Sequence, residues 1–192
     1  MSAVTIVRGF LAFPVSPGLR KTLSLAMDEL KQAGGDIKWV EADNIHLTLK
    51  FLGGIQDSDI EKISAVLKRR CARWQAVTCR FDGLGAFPDL RHPKVLWAGL
   101  DDPAGKLRAM AQELEHDLGP LGIAKSGRVF EPHITLGRVR SHAGWDKVAG
   151  KLPHAAFKGE TRQRFEKLTL YKSTLTAQGP VHEPLSEFSL AG

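Results

Sequence analysis

The sequence His-Leu-Thr-Leu occupies residues 46–49, and a close copy, His-Ile-Thr-Leu, occupies residues 133–136. Side chains alternate between the two faces of a β-strand, so each copy would place its histidine and its threonine together on one face. The two aliphatic residues would then lie on the opposite face, where they suit a buried core. The two copies therefore predict two strands, each offering one imidazole and one hydroxyl to a shared, symmetric site.

The residues around the two copies predict the same order of elements: a strand, a helix and then the motif strand. These elements are expected at 5–15, 19–32 and 44–52 in the first half, and at 95–100, 101–118 and 133–139 in the second. The interval from Phe10 to His46 is 36 residues, and that from Val95 to His133 is 38 residues. Such similar intervals indicate two related lobes, each contributing one motif.

The remaining segments complete a mixed α/β chain. Further elements are expected as a strand at 37–40, a helix at 57–74, a strand at 77–84, a short helix at 145–151, and strands at 165–173 and 187–190. Gly53 and Gly54 are expected to end the first motif strand, and Pro103 to mark the start of the helix before residue 118. The prediction is one bilobal α/β domain over residues 1–192, with the lobe boundary in a loop near 85–93.

Charge and composition restrict the function only loosely. Lys and Arg number 27 against 21 Asp and Glu, which gives a net charge of +6 at pH 7. A basic balance favours polyanionic partners such as RNA or DNA, although it also fits a basic protein that has no such partner. Hydrophobic residues make up 43% of the chain, which is ordinary for a globular protein.

The cysteines and the apolar runs indicate a location. Cys71 and Cys79 fit neither a metal-ligand spacing nor a disulfide framework, which is typical of a reducing cytosol. The apolar run within residues 1–13 is too short for a signal peptide, and no stretch approaches the roughly 18 apolar residues of a membrane span. We therefore expect a cytoplasmic protein that does not enter a membrane.

The paired motifs suit the cleavage of a phosphodiester. One histidine can activate the attacking oxygen and the other can protonate the leaving oxygen, because the ordinary imidazole pKa lies near neutrality. Two threonine hydroxyls can stabilise the phosphoryl oxygens. A lone histidine beside an apolar strand is more often structural, and threonine is common in strands anyway, so the inference depends on the two matched copies.

A metal site is the main chemical alternative to paired histidine catalysis. Catalytic zinc usually takes three protein ligands from closely spaced residues. The other histidines show no such grouping, since they stand at positions 92, 116, 142, 154 and 182. The spacing of the histidines therefore argues against a metal site.

Several neighbours of the motifs are candidate substrate contacts. Lys50 would share the face of His46 if its strand stayed regular, whereas Arg138 and Arg140 would point away from His133 unless their strand bends. Aromatic side chains near the motifs could stack a nucleobase, although each is more typical of a core. These are Phe13, Phe51, Phe130 and Tyr171.

Stretches along nearly the whole chain resemble the RNA 2',3'-cyclic phosphodiesterase family, also called the 2'-5' RNA ligase family, of the two-histidine phosphoesterase superfamily. They are RGFLA at 8–12, KWV at 38–40, NIHLTLKFLG at 44–53, GLGAFP at 83–88, VLWAG at 95–99, PHITLGR at 132–138 and LYKS at 170–173. The resemblance implies a bilobal α/β fold with antiparallel sheets around a central cleft and helices outside. Glu131 stands where many relatives carry a basic residue.

The resemblance also implies an activity and a role for each motif residue. The activity is hydrolysis of a 2',3'-cyclic phosphate at an RNA end to a 2'-phosphate, with no metal or nucleotide cofactor. His46 matches the proton donor, His133 the proton acceptor, and Thr48 and Thr135 the residues that hold the phosphate. The expected partner is RNA with a 2',3'-cyclic phosphate end, and the expected state is a monomer.

Other functions for such a cleft stay open. One is a related reaction, either 2'-5' RNA ligation or hydrolysis of a small cyclic nucleotide. Another is a non-catalytic module that binds RNA ends, which would show salt-sensitive affinity without turnover.

Overall fold

The computed structural model describes residues 6–102, 104–155, 157–177 and 179–192. These residues form nine strands and four helices. In chain order they are β1 (Ile6–Pro14), α1 (Pro17–Lys31), β2 (Ile37–Trp39), β3 (His46–Gln56), α2 (Asp57–Cys71), β4 (Val77–Phe87), β5 (Val95–Leu100), α3 (Lys106–Leu118), β6 (His133–Val139), α4 (Trp145–Lys151), β7 (Arg162–Phe165), β8 (Lys167–Leu175) and β9 (Pro180–Ser189).

The strands form two antiparallel sheets, as the family resemblance implied. The first sheet has the order β3-β1-β8-β9, and the second has the order β2-β6-β5-β4-β7. Each motif strand lies beside its own lead-in strand, because β1 pairs with β3 and β5 pairs with β6. Both sheets also contain strands from distant parts of the chain, since β2 joins β6 and the β8–β9 pair joins β1.

The helices lie outside the sheets and cover their apolar faces. Helix α1 begins where the side chain of Ser16 accepts a hydrogen bond from the Leu19 N–H at 3.1 Å, with Pro17 in the first turn. Helices α2 and α3 contact β3 of the first sheet, whereas α1 contacts α4. Among the described residues, no helix combines the length and the apolar character needed to cross a membrane.

Several strand bounds differ from the sequence-based expectations. β3 continues through Gly53 and Gly54, because both glycines stay paired with β1 across a register shift. β4 extends to Phe87, into the segment expected as a loop, because its end pairs with β5 at Val95. β9 begins at Pro180 rather than at residue 187, and it forms a long ladder with β8.

Smaller differences occur at the ends of other elements. The single strand expected at 165–173 is two strands, β7 and β8, because Glu166 separates a strand that pairs with β4 from one that pairs with β1. Helix α2 ends at Cys71, before the expected residue 74, and α3 begins at Lys106. The expected strand start at Thr5 and the Pro103 helix signal lie outside the described residues.

A β-bulge interrupts the first motif strand directly after Thr48. Thr48 pairs with Ala12, but Lys50 pairs with the adjacent Leu11, so Leu49 has no partner of its own in β1. An extra residue of this kind reverses the alternation of side chains beyond it. Lys50 therefore leaves the face that carries Thr48.

The second motif strand has a bulge at the equivalent position. Thr135 pairs with Trp97, but Gly137 pairs with the adjacent Leu96, so Leu136 is the unpaired residue. The two halves thus share an irregularity at the fourth residue of each motif. This agreement supports the internal repeat that the sequence predicts.

The bulge directs Lys50 into the layer between the first sheet and α3. Its ammonium group donates to the Glu115 carboxylate at 2.6 Å and to the carbonyl oxygen of Ala124 at 2.9 Å. Only 2% of the Lys50 side chain is exposed, against 24% for Glu115. The expected position of Lys50 beside His46 is therefore wrong, and its charge instead ties the motif strand to α3.

We expect Glu115→Ala to lower the free energy of unfolding by about 3 kcal/mol, because removing one partner of a buried ion pair leaves the other charge buried and unpaired. Urea denaturation followed by circular dichroism measures this loss. Glu183→Ala is the matched control, since it breaks an exposed pair with Lys172 and should change stability by about 1 kcal/mol or less. Equal losses in the two variants would contradict this account of Lys50.

Candidate active site

The two motif strands bring their histidines and threonines to the cleft between the sheets. β3 and β6 contact each other, and each motif alternates as a strand should. The alternate aliphatic residues, Leu47 and Ile134, are fully buried, whereas the histidines and threonines are only partly buried. The structure therefore brings together the four residues that the sequence singled out, which are His46, Thr48, His133 and Thr135.

The two histidines are held in the same orientation by the same local contact. Nδ1 of His46 lies 2.7 Å from the carbonyl oxygen of Asn44, and Nδ1 of His133 lies 2.7 Å from the carbonyl oxygen of Glu131. A carbonyl oxygen can only accept, so Nδ1 carries the proton in both rings. Nε2 is then the reactive atom of each ring, able to accept a proton when neutral and to donate one when charged.

The environment of His46 strongly favours its neutral form. The pKa of its imidazole is lowered to about 4, chiefly by burial. Positive charge on His182 and on His133 also lowers the pKa, whereas the hydrogen bond to the Asn44 carbonyl opposes the shift. The small contribution of His133 to this shift is consistent with the two motif histidines lying near each other.

His133 is less strongly perturbed. Burial lowers the pKa of His133 below its ordinary value, while the carbonyl and the carboxylate of Glu131 act in the opposite direction. Glu131 itself is tied to Arg108 by a 2.7 Å ion pair. The acidic side chain of Glu131 therefore acts on the second motif histidine through its charge.

A cluster of rings surrounds His46 on the first sheet. Phe10 is 3% exposed and forms the floor of the cluster. Its ring centroid lies 5.0 Å from that of His46, 5.1 Å from Tyr171, 4.8 Å from His182 and 6.2 Å from Phe51. The motif histidine is thus packed among aromatic side chains, which accounts for its low pKa.

A second group of rings lies beside His133. The Phe87 ring stands edge-on to His133 with centroids 5.0 Å apart, and it lies 5.1 Å from the Trp97 ring. Gly85 makes room for that indole, because a Cβ at this position would lie 2.3 Å from the Trp97 ring. Each motif histidine therefore packs against an aromatic ring of its own sheet, which is Phe10 on the neighbouring strand β1 for His46 and Phe87 on β4, two strands away, for His133.

His182 is a residue of the cleft that sequence reasoning missed. It lies on β9, and its ring meets that of His46 edge-on with centroids 5.4 Å apart. Its Nδ1 atom is buried and has no hydrogen-bond partner among the described residues, and burial lowers its pKa. No motif marks this histidine, and only the pairing of β9 with β8 places it near the first motif.

Arg138 also lies on the cleft face, contrary to its orientation in a regular strand. Beyond the bulge at Leu136, Arg138 pairs with Val95 of β5, which shares its face with Trp97. Since Trp97 pairs with Thr135, the register places the exposed Arg138 on the same face as the motif threonine. The strand irregularity that Arg138 needs in order to face the cleft is therefore present.

The side chains of the cleft do not form a recognisable metal site. In the part of the chain that the structure describes, no group of three or more His, Cys, Asp or Glu side chains could hold a metal ion. The cysteines are also poor nucleophiles, because burial raises the pKa of both the Cys71 and the Cys79 thiols to about 12. The groups that the motifs and their neighbours offer to a substrate here are imidazole, hydroxyl and guanidinium groups.

The chain belongs to the 2'-5' RNA ligase superfamily, whose family model matches residues 19–176. Two similar curated relatives are both named RNA 2',3'-cyclic phosphodiesterase. The one from Aquifex aeolicus is 33% identical over 192 residues, with 97% of this chain and 99% of the relative covered. The one from Methanothermobacter thermautotrophicus is 30% identical over 184 residues, with 96% and 99% covered.

Solved structures share the architecture over nearly the whole chain. TT0787 of Thermus thermophilus matches with a TM-score of 0.80 and 26% identity, covering 96% of this chain and 98% of that protein. E. coli LigT complexed with 3'-AMP matches with a TM-score of 0.76 and 25% identity, covering 98% and 100%. The two-sheet arrangement of this chain is therefore shared with these solved structures.

We expect His182→Gln to raise the pKa of His46 above about 4, because the substitution removes a positive charge beside the His46 ring. Titration of the His46 ring protons by NMR measures the change. The exposed His142 provides the control, since His142→Gln should leave the His46 titration where it is. A His46 pKa that stays constant or falls in His182→Gln would show that the two rings are not coupled.

Proposed function

We propose that this protein hydrolyses 2',3'-cyclic phosphates at RNA ends to 2'-phosphates, using His46 and His133 without a metal ion. The observation that carries the proposal is the matched pair of imidazoles, each with Nδ1 bound to a backbone carbonyl and Nε2 left free to exchange a proton. Membership of the 2'-5' RNA ligase superfamily and the names of the curated relatives support the choice of substrate.

In the proposed reaction His133 is the base. Its neutral Nε2 takes a proton from a water molecule as the water oxygen attacks phosphorus. The bond between phosphorus and the ribose 3'-oxygen breaks, and His46 gives its Nε2 proton to that oxygen. The product carries a 2'-phosphate and a free 3'-hydroxyl. His133 then holds the proton that His46 has lost, and exchange with solvent restores both rings.

The remaining cleft residues bind the phosphate. Thr48 and Thr135 can donate their hydroxyl hydrogens to the two non-bridging oxygens, one from each sheet. Arg138 adds positive charge on the same face as Thr135. Donors held in fixed positions stabilise charge that develops in the transition state without having to reorganise.

The negative charge of the bound substrate favours the protonated form of His46, which is the form that can act as an acid. In the free protein His46 is neutral near pH 7, because its pKa is about 4. A bound phosphate anion favours the imidazolium form of both motif histidines and so raises their pKa values. His46 is therefore protonated chiefly when a substrate is in place.

The cleft residues and the cysteines also support a proposed oligomeric state and a proposed location. All of the cleft residues come from one chain, so a monomer is sufficient for the reaction. Cys71 and Cys79 are buried free thiols, which is consistent with action in a reducing cytoplasm. The partner is RNA that ends in a 2',3'-cyclic phosphate.

RNA ligation is a second candidate, favoured by the name of the superfamily. A 5'-hydroxyl in place of water would attack the same phosphorus and form a 2'-5' bond. The two histidines would keep the same roles. The balance between the two reactions depends on whether water or an RNA 5'-end occupies the position of the attacking oxygen.

We expect alanine in place of either motif histidine to lower kcat by about 10²–10⁴-fold, the usual contribution of general acid–base catalysis. The assay is hydrolysis of a short RNA with a 2',3'-cyclic phosphate end, in EDTA, with the position of the product phosphate identified. His142→Ala is the control and should retain wild-type turnover. Turnover that requires an added divalent ion, or that survives in His46→Ala, would refute the mechanism.

We expect the bell-shaped pH profile of kcat to lie at higher pH than that of kcat/KM. The profile of kcat/KM reports the free enzyme, in which burial lowers the pKa values of both motif histidines, so its alkaline limb should begin below pH 6.5. The profile of kcat reports the bound complex, in which the phosphate raises both values. Two profiles that coincide at constant ionic strength would contradict this coupling between substrate and histidines.

A further inference from the structure

The cleft face of the second sheet continues from His133 across β5 to β4 and β7. His133 pairs with Gly99 of β5, and directly opposite residues lie on the same face of a sheet. On β4, Phe81 pairs with Leu100, and both of these side chains belong to the core. Because side chains alternate along a strand, Arg80 projects from the opposite face, which is the face that carries His133.

Arg80 belongs to a group of three arginines on this face. It pairs with Arg162 of β7, and Thr78 pairs with Arg164 in the next row of the same face. All four side chains are exposed, whereas Gln163, between the two arginines of β7, is buried. We call Arg80, Arg162 and Arg164 the arginine surface.

Two charges of the arginine surface repel each other. Arg80 and Arg162 stand directly opposite, with Cβ atoms about 5 Å apart, and like charges in such a pair destabilise a sheet. Arg164 forms a 3.2 Å ion pair with Glu166, but Arg80 and Arg162 have no such pair within the described part of the chain. The neighbouring acid, Asp101, accepts the backbone N–H of Arg80 instead. A bound anion would therefore stabilise these two guanidinium groups.

Protection of a sheet edge is the other role that such charges can have. Charged residues on an edge strand discourage pairing with the sheet of another molecule. This role accounts for Arg162 and Arg164, because β7 is the edge of the second sheet. It does not account for Arg80, since β4 lies inside the sheet between β5 and β7. The repulsive pair across two strands of one sheet points to a ligand.

The arginine surface lies within reach of RNA that is bound in the cleft. Arg80 is two strands, about 10 Å, across the sheet from His133 and two residues, about 7 Å, along it. Arg162 is one strand, about 5 Å, further out. Successive phosphates of a stacked nucleic-acid strand rise by about 3.4 Å. The separation therefore corresponds to a few nucleotides beyond the one that carries the reacting phosphate.

We propose that Arg80, Arg162 and Arg164 bind backbone phosphates of a single-stranded RNA whose cyclic end lies in the cleft. This inference deepens the proposed function and rests on it for the choice of RNA as the polyanion. Arginine suits the role because its planar guanidinium can form two parallel hydrogen bonds with a phosphate. Phosphate contacts carry no sequence information. The surface therefore favours a longer RNA over a mononucleotide without selecting a sequence.

The first test measures binding without turnover. The ligand is a labelled single-stranded RNA of ten nucleotides that ends in a 2'-phosphate, which is the product of the proposed reaction. Its affinity is measured by fluorescence anisotropy over a range of salt concentrations. In Arg80→Gln/Arg162→Gln, the plot of log affinity against log salt should be less steep than in wild type by about 1.4, because each lost phosphate contact to a single strand accounts for about 0.7.

Arg69→Gln/Arg73→Gln is the matched control. It removes the same two charges from exposed positions on and directly after α2, in the outer helix layer. This double variant should keep the wild-type salt dependence. Equal slopes in the two double variants would overturn the proposal, because the position of the arginines would then make no difference.

The second test compares hydrolysis of a nucleoside 2',3'-cyclic phosphate with that of a ten-nucleotide RNA that has the same end. Wild type should show the higher kcat/KM on the RNA. Arg80→Gln/Arg162→Gln should lose about tenfold on the RNA, the order expected for a lost hydrogen bond to a charged group. It should match wild type on the nucleoside substrate, which does not reach the arginine surface. An equal loss on both substrates would contradict the proposal.

The two tests separate this inference from the proposed function. If wild type hydrolyses both substrates and Arg80→Gln/Arg162→Gln binds and cleaves the RNA as wild type does, the arginine surface is refuted and the proposed function stands. If wild type binds RNA through these arginines but hydrolyses neither substrate, the proposed function is refuted and the RNA-binding surface stands.

Discussion

The active cleft depends on two β-bulges, one after the threonine of each motif strand. A bulge reverses the alternation of side chains along a strand. Beyond it, a residue that would have faced the core faces the cleft, and a residue that would have faced the cleft faces the core. In β3 it buries Lys50 against Glu115 and brings Phe51 to the cleft. In β6 it turns the small Gly137 inward, where a Cβ would lie 2.5 Å from Ile37, and brings Arg138 to the cleft. The motifs supply the groups that the proposed reaction uses, and the bulges determine which side chains lie beside them.

Much of this arrangement could be predicted from the sequence, because periodicity and motif spacing are local signals. The motif strands, the lead-in helices and the internal repeat follow from them. The bulges could not be predicted, since their positions depend on the register with a partner strand. The part of β9 before residue 187 was missed for a related reason. It contains Pro184 and charged residues, which argue against a strand, but an edge position beside β8 tolerates both. His182 lies in this part of β9, so its position beside the first motif could not be predicted either.

The electrostatics of the site differ between its two halves, although the backbone repeat is close. His46 lies among Phe10, Tyr171 and His182, and it loses its charge through burial and through neighbouring positive charge. His133 lies beside Phe87, and the carboxylate of Glu131 partly offsets its burial. A symmetric pair of motifs therefore becomes a pair of unequal imidazoles. The proposed acid, His46, is the imidazole whose charged form is the more strongly disfavoured, so the anionic substrate has to raise its pKa before it can donate a proton.

Each sheet contains strands from both halves of the chain, and this limits what can fold while the chain is being synthesised. The first sheet contains β1 and β3 from the beginning of the chain, but it also contains β8 and β9 from the end. While the ribosome is still making the last residues, Phe10 lacks the strand that carries Tyr171 and the site lacks His182. A nascent chain therefore cannot complete the first sheet or the cleft until its last strands have been made. A fragment that stops before β8 leaves apolar surface exposed and should bind chaperones.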